Sequence, residues 1–216
     1  SLVNSLLPLD CPIYISPDLY QLLTSKVRIS NVVGEPLVDI SRSQMSASTR
    51  NLKRVSDVVL SFITLLLISP LLLVIAILVK CDSRGPVFYR QERIGYHKKP
   101  FYIYKFRSMK VQTDDEVKKT TVDDDRITAV GKIIRPFRLD ELPQLFNIIK
   151  GDMSIVGPRP ERDVFIQEYV KEVPEFVYRL NVKAGLTGLA QVRGKYNTTP
   201  QDKLKMDLLY INNFTF

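Results

Sequence analysis

The sequence has 216 residues, with 31 Lys and Arg against 23 Asp and Glu, which gives a formal net charge of +8. The length suits one ordinary domain with an appended segment, and 45% hydrophobic with 25% charged residues is typical of a globular protein. Two cysteines and one histidine are too few for a disulfide framework or a His-rich zinc site. The excess of positive charge predicts an anionic partner: nucleic acid, phosphate-bearing ligands or an anionic membrane surface.

The first 50 residues are expected to be the tail of a preceding α/β module followed by a linker. Residues 12–15 predict a short strand, and Ser16 with Pro17 predicts the start of a helix. Residues 34–40 predict a turn and an edge strand, and the polar stretch 41–51 predicts a linker. We predict no chemistry for this part of the chain.

A 22-residue run without a charge extends from Val58 to Val79. As an α-helix it would span roughly 33 Å, about one bilayer core. Pro70, which follows Ser69 near the middle of the run, predicts a kink. Basic residues flank the run on both sides, which is typical of two cytoplasmic ends. A re-entrant helical hairpin broken at Ser69 and Pro70 satisfies both observations, and the alternatives are a kinked spanning helix and a buried core helix.

Two strands are predicted after this run, over residues 87–90 and 100–109, the second from its alternating aromatic and β-branched residues. Lys105 and Arg107 share one face of the second strand. Their spacing alone is more typical of a solvated strand end than of a binding site.

The segment 131–160 carries the candidate chemistry. An apolar stripe over residues 142–149 predicts a short helix, which Lys150 and Gly151 end. Asp140 and Glu141 lie at the start of that helix, where an aspartate is equally typical of a structural N-cap.

Basic side chains surround this helix start, namely Lys132, Arg135, Arg138 and, between two prolines, Arg159. A helix N-terminus ringed by arginine attracts phosphate groups, and adjacent carboxylates there can hold a divalent cation. We expect the positive field to lower the pKa of Asp140 and keep this carboxylate ionised as a nucleophile.

The last third of the chain predicts a helix over residues 162–173, a glycine-rich loop over 182–194 and a final helix over 201–211 that Thr199 and Pro200 begin. Lys183 and Arg193 lie in the glycine-rich segment. Their sequence context alone is typical of an ordinary surface loop.

A series of motifs runs in order from Lys53 to Val192: Lys53-Arg54-x-x-Asp57, the apolar run broken at Ser69-Pro70, GPVF (85–88), QERIG (91–95), YKFRSM (104–109), RLDELPQL (138–145), KGDMS (150–154), VGPRP (156–160) and GLTGLAQV (185–192). This series resembles the bacterial sugar transferase family, the monotopic polyprenyl-phosphate phosphoglycosyl transferases. The resemblance covers about three quarters of the chain. It implies a truncated larger member, since the usual C-terminal continuation is missing and residues 1–50 fit the end of an additional N-terminal module.

The resemblance implies transfer of sugar-1-phosphate from a UDP-sugar to undecaprenyl phosphate, with release of UMP and with Mg²⁺ as cofactor. Such a step begins the synthesis of capsule, O-antigen or exopolysaccharide. It also implies that Asp140 is the covalent nucleophile, that Glu141 is catalytic beside it, and that both are metal ligands. The predicted substrate-binding residues are Lys105, Arg107, Arg135, Arg138, Arg159, Lys183 and Arg193. Arg50 and Lys53 are expected only to attract anionic lipid, with about 1 kcal/mol per charge.

The resulting prediction is an α+β fold, mainly helical with short β-strands, that is membrane-associated through a re-entrant hairpin broken at Ser69 and Pro70. Its parts are residues 1–50, the membrane helix 51–80 and a cytoplasmic catalytic domain 81–216. The predicted partners are a UDP-sugar, undecaprenyl phosphate and a phospholipid membrane, without nucleic acid, and a homodimer is left open. The predicted location is the bacterial inner membrane, with the active site on the cytoplasmic face. The alternative function is an inactive membrane scaffold for polysaccharide assembly enzymes.

Overall fold

The computed structural model describes residues 14–15, 29–32, 35–39, 46–110, 124–194 and 198–212. The helices within these ranges are α1 (Ala47–Asp82), α2 (Ala129–Ile134), α3 (Gln144–Lys150), α4 (Asp163–Glu172), α5 (Leu189–Arg193) and α6 (Pro200–Asn212). The strands are β1 (Tyr14–Ile15), β2 (Ile29–Val32), β3 (Glu35–Asp39), β4 (Phe88–Ile94), β5 (Pro100–Phe106), β6 (Met153–Val156) and β7 (Ala184–Thr187). Short 3-10 segments are Tyr96–Lys98, Leu139–Glu141 and Pro174–Asn181. The mainly helical composition with short strands confirms the predicted fold class.

The first three strands form an antiparallel sheet in the order β1-β3-β2. β3 therefore lies in the centre, and the prediction of an edge strand is wrong. Pro36 lies opposite Asn31, and a proline is tolerated there because each N–H of an antiparallel strand points to only one neighbour, so at most one ladder bond is lost. The helix predicted after Ser16 lies outside the described residues.

Helix α1 begins within the predicted linker, at Ala47. The Ser46 hydroxyl accepts a hydrogen bond from the Thr49 N–H at 3.1 Å, which caps the first turn. Helical structure continues on both sides of Pro70. Proline has no N–H for the Leu66 carbonyl one turn earlier, and the Ser69 hydroxyl donates to that carbonyl at 2.8 Å instead. The pairing of Ser69 with Pro70 thus leaves the Leu66 carbonyl satisfied, and the predicted hairpin break stays a prediction.

One face of α1 packs against the following domain along the whole apolar run. The residues of this face recur every three or four positions: Asp57, Ser61, Leu65, Ile68, Leu72, Ile75 and Val79. The opposite face is exposed and apolar, with Leu66 at 66% and Leu67 at 74% exposure. Because only 11% of the most apolar stretch is buried, the alternative of a buried core helix is wrong. The helix is long and apolar enough to cross a membrane.

Both ends of α1 are hydrogen-bonded to the same domain. Near the start, the Arg54 guanidinium donates to the Ile149 carbonyl at 2.8 Å. At the far end, Arg107 donates to the carbonyls of Val79 at 3.0 Å and Ser83 at 2.6 Å. The helix therefore does not project away from the domain as a separate anchor.

The domain contains two small two-stranded sheets, antiparallel β4–β5 and parallel β6–β7. Helix α3 is fixed to β5 by Asn147, which is fully buried. Its amide accepts from the Tyr104 N–H at 3.1 Å and donates to the Tyr102 carbonyl at 2.7 Å. Apolar packing of Ile103 against Ile148 closes the same contact. These bonds set the distance between β5 and the segment that precedes α3.

Candidate active site

Asp140 and Glu141 lie in the 3-10 turn Leu139–Glu141, between α2 and α3. Helix α3 begins only at Gln144, so the reading of Asp140 as its N-cap is wrong. The residue before the turn, Arg138, has a left-handed backbone with φ 55°, which is uncommon for a residue with a side chain. Both acidic side chains are buried, with each residue 8% exposed. Buried carboxylates outside a helix cap need another explanation.

Two cations hold Glu141. The Lys105 ammonium lies 2.8 Å from Oε1, and the Arg159 guanidinium lies 2.6 Å from Oε1 and 3.3 Å from Oε2. For Asp140, the described part of the chain shows no ion pair and no hydrogen bond to another side chain. One carboxylate is thus fixed by two cations, and its neighbour has no partner side chain within the described residues.

The two neighbouring carboxylates differ in acidity. Burial raises the pKa of Asp140, and the charges of Lys105 and Arg135 only partly oppose this effect. The prediction that the positive field lowers the pKa of Asp140 is therefore wrong. Burial also acts on Glu141, but the hydrogen bonds and charges of Arg159 and Lys105 outweigh it and hold the pKa of Glu141 at about 2. The reason is geometric, since the cations contact Glu141 directly.

Four of the seven predicted substrate-binding residues lie at this pair, by direct contact, by charge or by a shared cavity. Lys105 and Arg159 contact Glu141. The charge of Arg135 acts on Asp140, and Arg138 lines a cavity together with Glu141. Arg107 is different, because it is 4% exposed and its guanidinium binds backbone carbonyls at the end of α1. Arg107 therefore binds the end of α1 to the domain.

The remaining two predicted residues lie apart from the pair. Lys183 is close to Arg54, Asp57 and Asp152, beside the start of α1. Arg193 is exposed at the end of α5. The structure does not bring either side chain into contact with Asp140 or Glu141.

Lys53 does not fit the expected role of a free charge on the lipid surface. Its ammonium lies 3.3 Å from both oxygens of Asp57, and both side chains are mostly buried. Asp57 also accepts from the Ser154 hydroxyl at 2.7 Å and the Ile155 N–H at 3.2 Å. The expectation that Lys53 only attracts anionic lipid is corrected, because Lys53 takes part in the contact between α1 and β6 through Asp57. A charge four residues before an aspartate was the only sequence signal for this pair.

A cavity of about 400 Å³ adjoins Glu141. Its lining is formed by Phe137, Arg138, Glu141, Leu142, Leu186, Thr187, Gln191 and Val192. Phe137 and Val192 are 74% and 76% exposed, so large apolar side chains line a cavity that also contains a charged group. The cavity-lining residues of β7 and α5 were missed by sequence reasoning, although they lie in the motif 185–192.

The acidic residues fit a magnesium ion only together with its substrate. Within the described residues, no three His, Cys, Asp or Glu side chains are grouped as a metal site. Mg²⁺ is usually held by one or two carboxylates, with substrate phosphates and waters as the other ligands. The donor set of Asp140 and Glu141 matches that arrangement.

The fold and the site define a class: a small domain that is fastened to a long apolar helix and carries two buried, adjacent carboxylates, one of which is held by cations. The model of the family "Bacterial sugar transferase" matches residues 48–216. The chain belongs to this family.

Two relatives match across nearly the whole chain. It is 39% identical to a UDP-glucose:undecaprenyl-phosphate glucose-1-phosphate transferase of Klebsiella pneumoniae, over 100% of this chain and 48% of that protein. It is also 39% identical to a UDP-N-acetylgalactosamine-undecaprenyl-phosphate N-acetylgalactosaminephosphotransferase of Aeromonas hydrophila, over 94% of this chain and 48% of that protein. The chain thus spans about half the length of these curated relatives.

A shorter relative matches better in identity and over less of this chain. It is a putative undecaprenyl-phosphate N-acetylgalactosaminyl 1-phosphate transferase of Bacillus subtilis, 45% identical over 64% of this chain and 78% of that protein. The names of these three relatives differ in the sugar and agree on undecaprenyl phosphate.

Proposed function

We propose that this protein transfers a sugar-1-phosphate from a UDP-sugar to undecaprenyl phosphate and releases UMP, as the first step of polysaccharide assembly. The observation that carries the proposal is the pair of Asp140 and Glu141, in which cations hold Glu141 and leave Asp140 free. The names of the relatives support the two substrates. An inactive membrane scaffold would have no need of a buried, unpaired carboxylate, so this alternative is not favoured.

The first step is an attack by a carboxylate oxygen of Asp140 on the phosphorus next to the sugar. A bond forms between Asp140 and phosphorus, and the bond to the UMP oxygen breaks, so that UMP leaves with the electron pair. The product on the protein is an acyl phosphate that carries the sugar. The raised pKa of Asp140 makes its ionised form a better nucleophile than an ordinary aspartate.

The second step is an attack by a phosphate oxygen of undecaprenyl phosphate on the same phosphorus. The bond to Asp140 breaks, which restores the carboxylate and gives undecaprenyl-diphosphate sugar. The two steps balance without an added oxidant, reductant or water. Covalent catalysis of this kind divides one difficult transfer into two displacements.

Lys105 and Arg159 are the proposed ligands of the substrate diphosphate, with Arg135 and Arg138 nearby. Arginine binds phosphate through a planar pair of N–H groups. Asp140 and Glu141 would hold Mg²⁺ with the substrate phosphates, and the ion would neutralise charge on the transferred phosphoryl group. Glu141 stays ionised at neutral pH in this arrangement, since its pKa is about 2.

The lipid substrate has a charged head and an apolar chain, and the cavity beside Glu141 offers both kinds of surface. Its rim residues Phe137 and Val192 are exposed, as is the outer face of α1. We propose that these surfaces enter the cytoplasmic side of the bacterial inner membrane. The lipid phosphate then reaches Asp140 without leaving the interface.

We also propose that α1 enters and leaves the membrane on the cytoplasmic side as a re-entrant hairpin. Contacts at Arg54 and at Val79 attach both ends of the apolar run to one domain. A straight crossing would place one of these contacts on the far side of the bilayer. Pro70 supplies the position where a bend costs least, because its missing N–H already removes one helical bond.

The experiment that tests the proposal measures UMP release from a panel of UDP-sugars with undecaprenyl phosphate in detergent, with and without Mg²⁺. One sugar should support turnover, and Asp140→Asn should abolish it while the protein stays folded. Incubation with the UDP-sugar alone should add the mass of a sugar phosphate to the wild-type protein only. Retention of more than about a tenth of the rate by Asp140→Asn, a barrier change below about 1.4 kcal/mol, would exclude the covalent role.

A further inference from the structure

The loop that carries Arg159 is fixed on its β7 side by backbone hydrogen bonds. The Gly157 N–H donates to the Thr187 carbonyl at 2.9 Å, and the Gly185 N–H donates to the Pro158 carbonyl at 2.9 Å. The prolines on either side of Arg159 restrict its backbone further. These two bonds hold the loop on the N-terminal side of Arg159, and on its C-terminal side the Arg93 guanidinium donates to the Pro160 carbonyl at 3.1 Å. The carbonyl of Arg159 itself is left to another partner.

That partner is Arg179, from the 3-10 segment Pro174–Asn181. Its Nη2 donates to the Arg159 carbonyl at 2.9 Å, and its Nε donates to Asp207 Oδ2 at 2.9 Å. The side chains of Arg179 and Asp207 are 3% and 2% exposed. A buried ion pair thus reaches from α6 to the backbone of the residue that contacts Glu141.

Stability alone gives a weak reason for this ion pair. Burying two charges costs about as much free energy as their attraction returns, and apolar residues of the same volume often do as well. A rigid guanidinium that binds a carboxylate on one edge and a carbonyl on another fixes the angle between the two. The feature that an apolar replacement would not reproduce is the bond to the Arg159 carbonyl.

We propose that Asp207 and Arg179 are positioning residues that hold the Arg159 backbone so that its guanidinium stays against Glu141 and the substrate diphosphate. The inference rests on the proposed function, because the direction of the Arg159 side chain matters only if Asp140 and Glu141 form the active site. A misplacement of about 1 Å in a catalytic arrangement can cost on the order of 100-fold in rate.

The test compares variants of this pair with a matched core variant. Arg179→Met removes both hydrogen bonds, and Arg179→Lys keeps the charge but loses the rigid fork. Asp207→Asn keeps a hydrogen-bond acceptor. Leu204→Ala is the control, because Leu204 is 5% exposed in the same helix and packs in the same cluster as Phe176, yet has no polar link to the loop.

Arg179→Met should lower kcat/KM for the nucleotide sugar by about 10-fold or more, and Arg179→Lys should fall between it and the wild type. Leu204→Ala should lower the melting temperature but change kcat/KM by less than about 3-fold. In an Arg159→Lys background, Arg179→Met should have a much smaller effect, since both residues act through one guanidinium. If the losses in kcat/KM from Arg159→Lys and Arg179→Met multiplied in the double variant, as they do for independent sites, the positioning role would be overturned.

A second readout does not depend on turnover. Hydrogen exchange by mass spectrometry should be faster in the amides of Gly157, Arg159 and Glu161 in Arg179→Met, and not in Leu204→Ala. Unchanged exchange in this loop would overturn the inference even if activity falls. If the wild-type protein released no UMP from any UDP-sugar, the proposed function would fail, and the exchange comparison would still decide the positioning role. Should Arg179→Met not fold, Arg179→Lys and Asp207→Asn provide the same comparison.

Discussion

Asp140 and Glu141 are adjacent in the chain and have opposite electrostatic roles. Glu141 takes up the positive charge of Lys105 and Arg159, and among the described residues no other side chain pairs with the buried Asp140. Neighbouring carboxylates whose pKa values are driven apart are a common basis for dividing catalytic roles. The sequence places the two acids together, but only the structure shows which of them is neutralised.

The pH dependence of turnover should report Asp140. Because burial raises its pKa, the carboxylate becomes protonated at a higher pH than an ordinary aspartate, so the rate should begin to fall earlier on acidification. Glu141 stays ionised over the same range, since its pKa is about 2. The measurement is kcat against pH in detergent. An acid limb at or below the ordinary pKa of aspartate would contradict the prediction.

Arg159→Lys should lower kcat/KM by about 10-fold or more, because lysine keeps the charge and loses the paired N–H groups that contact both oxygens of Glu141. Arg193→Lys is the matched control, since Arg193 is exposed and apart from the pair. The measurement is kcat/KM for the UDP-sugar, determined for the Arg159→Lys and Arg193→Lys variants. Equal losses in both variants would mean that Arg159 acts only through general charge.

At the scale of elements, the apolar run of α1 and its attachment at both ends lead to a topology prediction. Cys81 is exposed just after the run, so it serves as a natural reporter, and Ser56→Cys supplies a second one before the run. With Cys11 replaced by serine, each single-cysteine protein should react with an impermeant reagent in inside-out vesicles only. Reaction of the two sites from opposite sides would show a spanning helix.

Pro70→Leu restores an N–H in the middle of the run and should shift the helix toward a spanning form. The expected result is reaction of one of the two cysteines from the opposite side in a fraction of the molecules. Leu71→Ala is the control, because Leu71 is an exposed neighbour that leaves the backbone unchanged. An unchanged pattern in Pro70→Leu would show that the contacts at both ends of α1 determine the topology by themselves.

The elements themselves were largely predictable from local patterns. Helix α4 and helix α6 agree with the predicted ranges, and the Thr199 hydroxyl accepts from the Asp202 N–H at 3.2 Å as a cap should. The central position of β3 was not predictable, because the effect of Pro36 depends on which neighbours pair with the strand. Strand order is a property of distant segments, and no local pattern contains it.

At the scale of the whole molecule, the buried Arg107 joins the end of helix α1 to the domain. Arg107→Met would leave the carbonyls of Val79, Ser83 and Pro86 without this donor. A buried carbonyl left without a donor costs about 1–3 kcal/mol, so thermal unfolding in detergent should occur at a clearly lower temperature. Arg90→Met on the exposed side of the same sheet is the control. Similar melting temperatures for the two variants would contradict the structural role of Arg107.

The role of Arg107 also shows where sequence reasoning ends. Alternation along β5 and the residue that follows it places Lys105 and Arg107 on one face. Lys105 nevertheless contacts Glu141, whereas Arg107 binds the end of α1. The ion pair of Arg179 with Asp207 was not predictable either, because the two residues are 28 positions apart in the chain and follow no local spacing rule. Residue type and period predict an element, but the partner of a buried charge is set by tertiary packing.

The contacts of α1 constrain how this protein can change in length. Each residue inserted into a helix rotates everything beyond it by about 100°. An insertion between Asp57 and Leu65, or between Leu72 and Val79, would turn one attached end away from its partners. Only the neighbourhood of Ser69 and Pro70 can absorb an extra residue as a local bulge, so insertions and deletions in related chains should concentrate there.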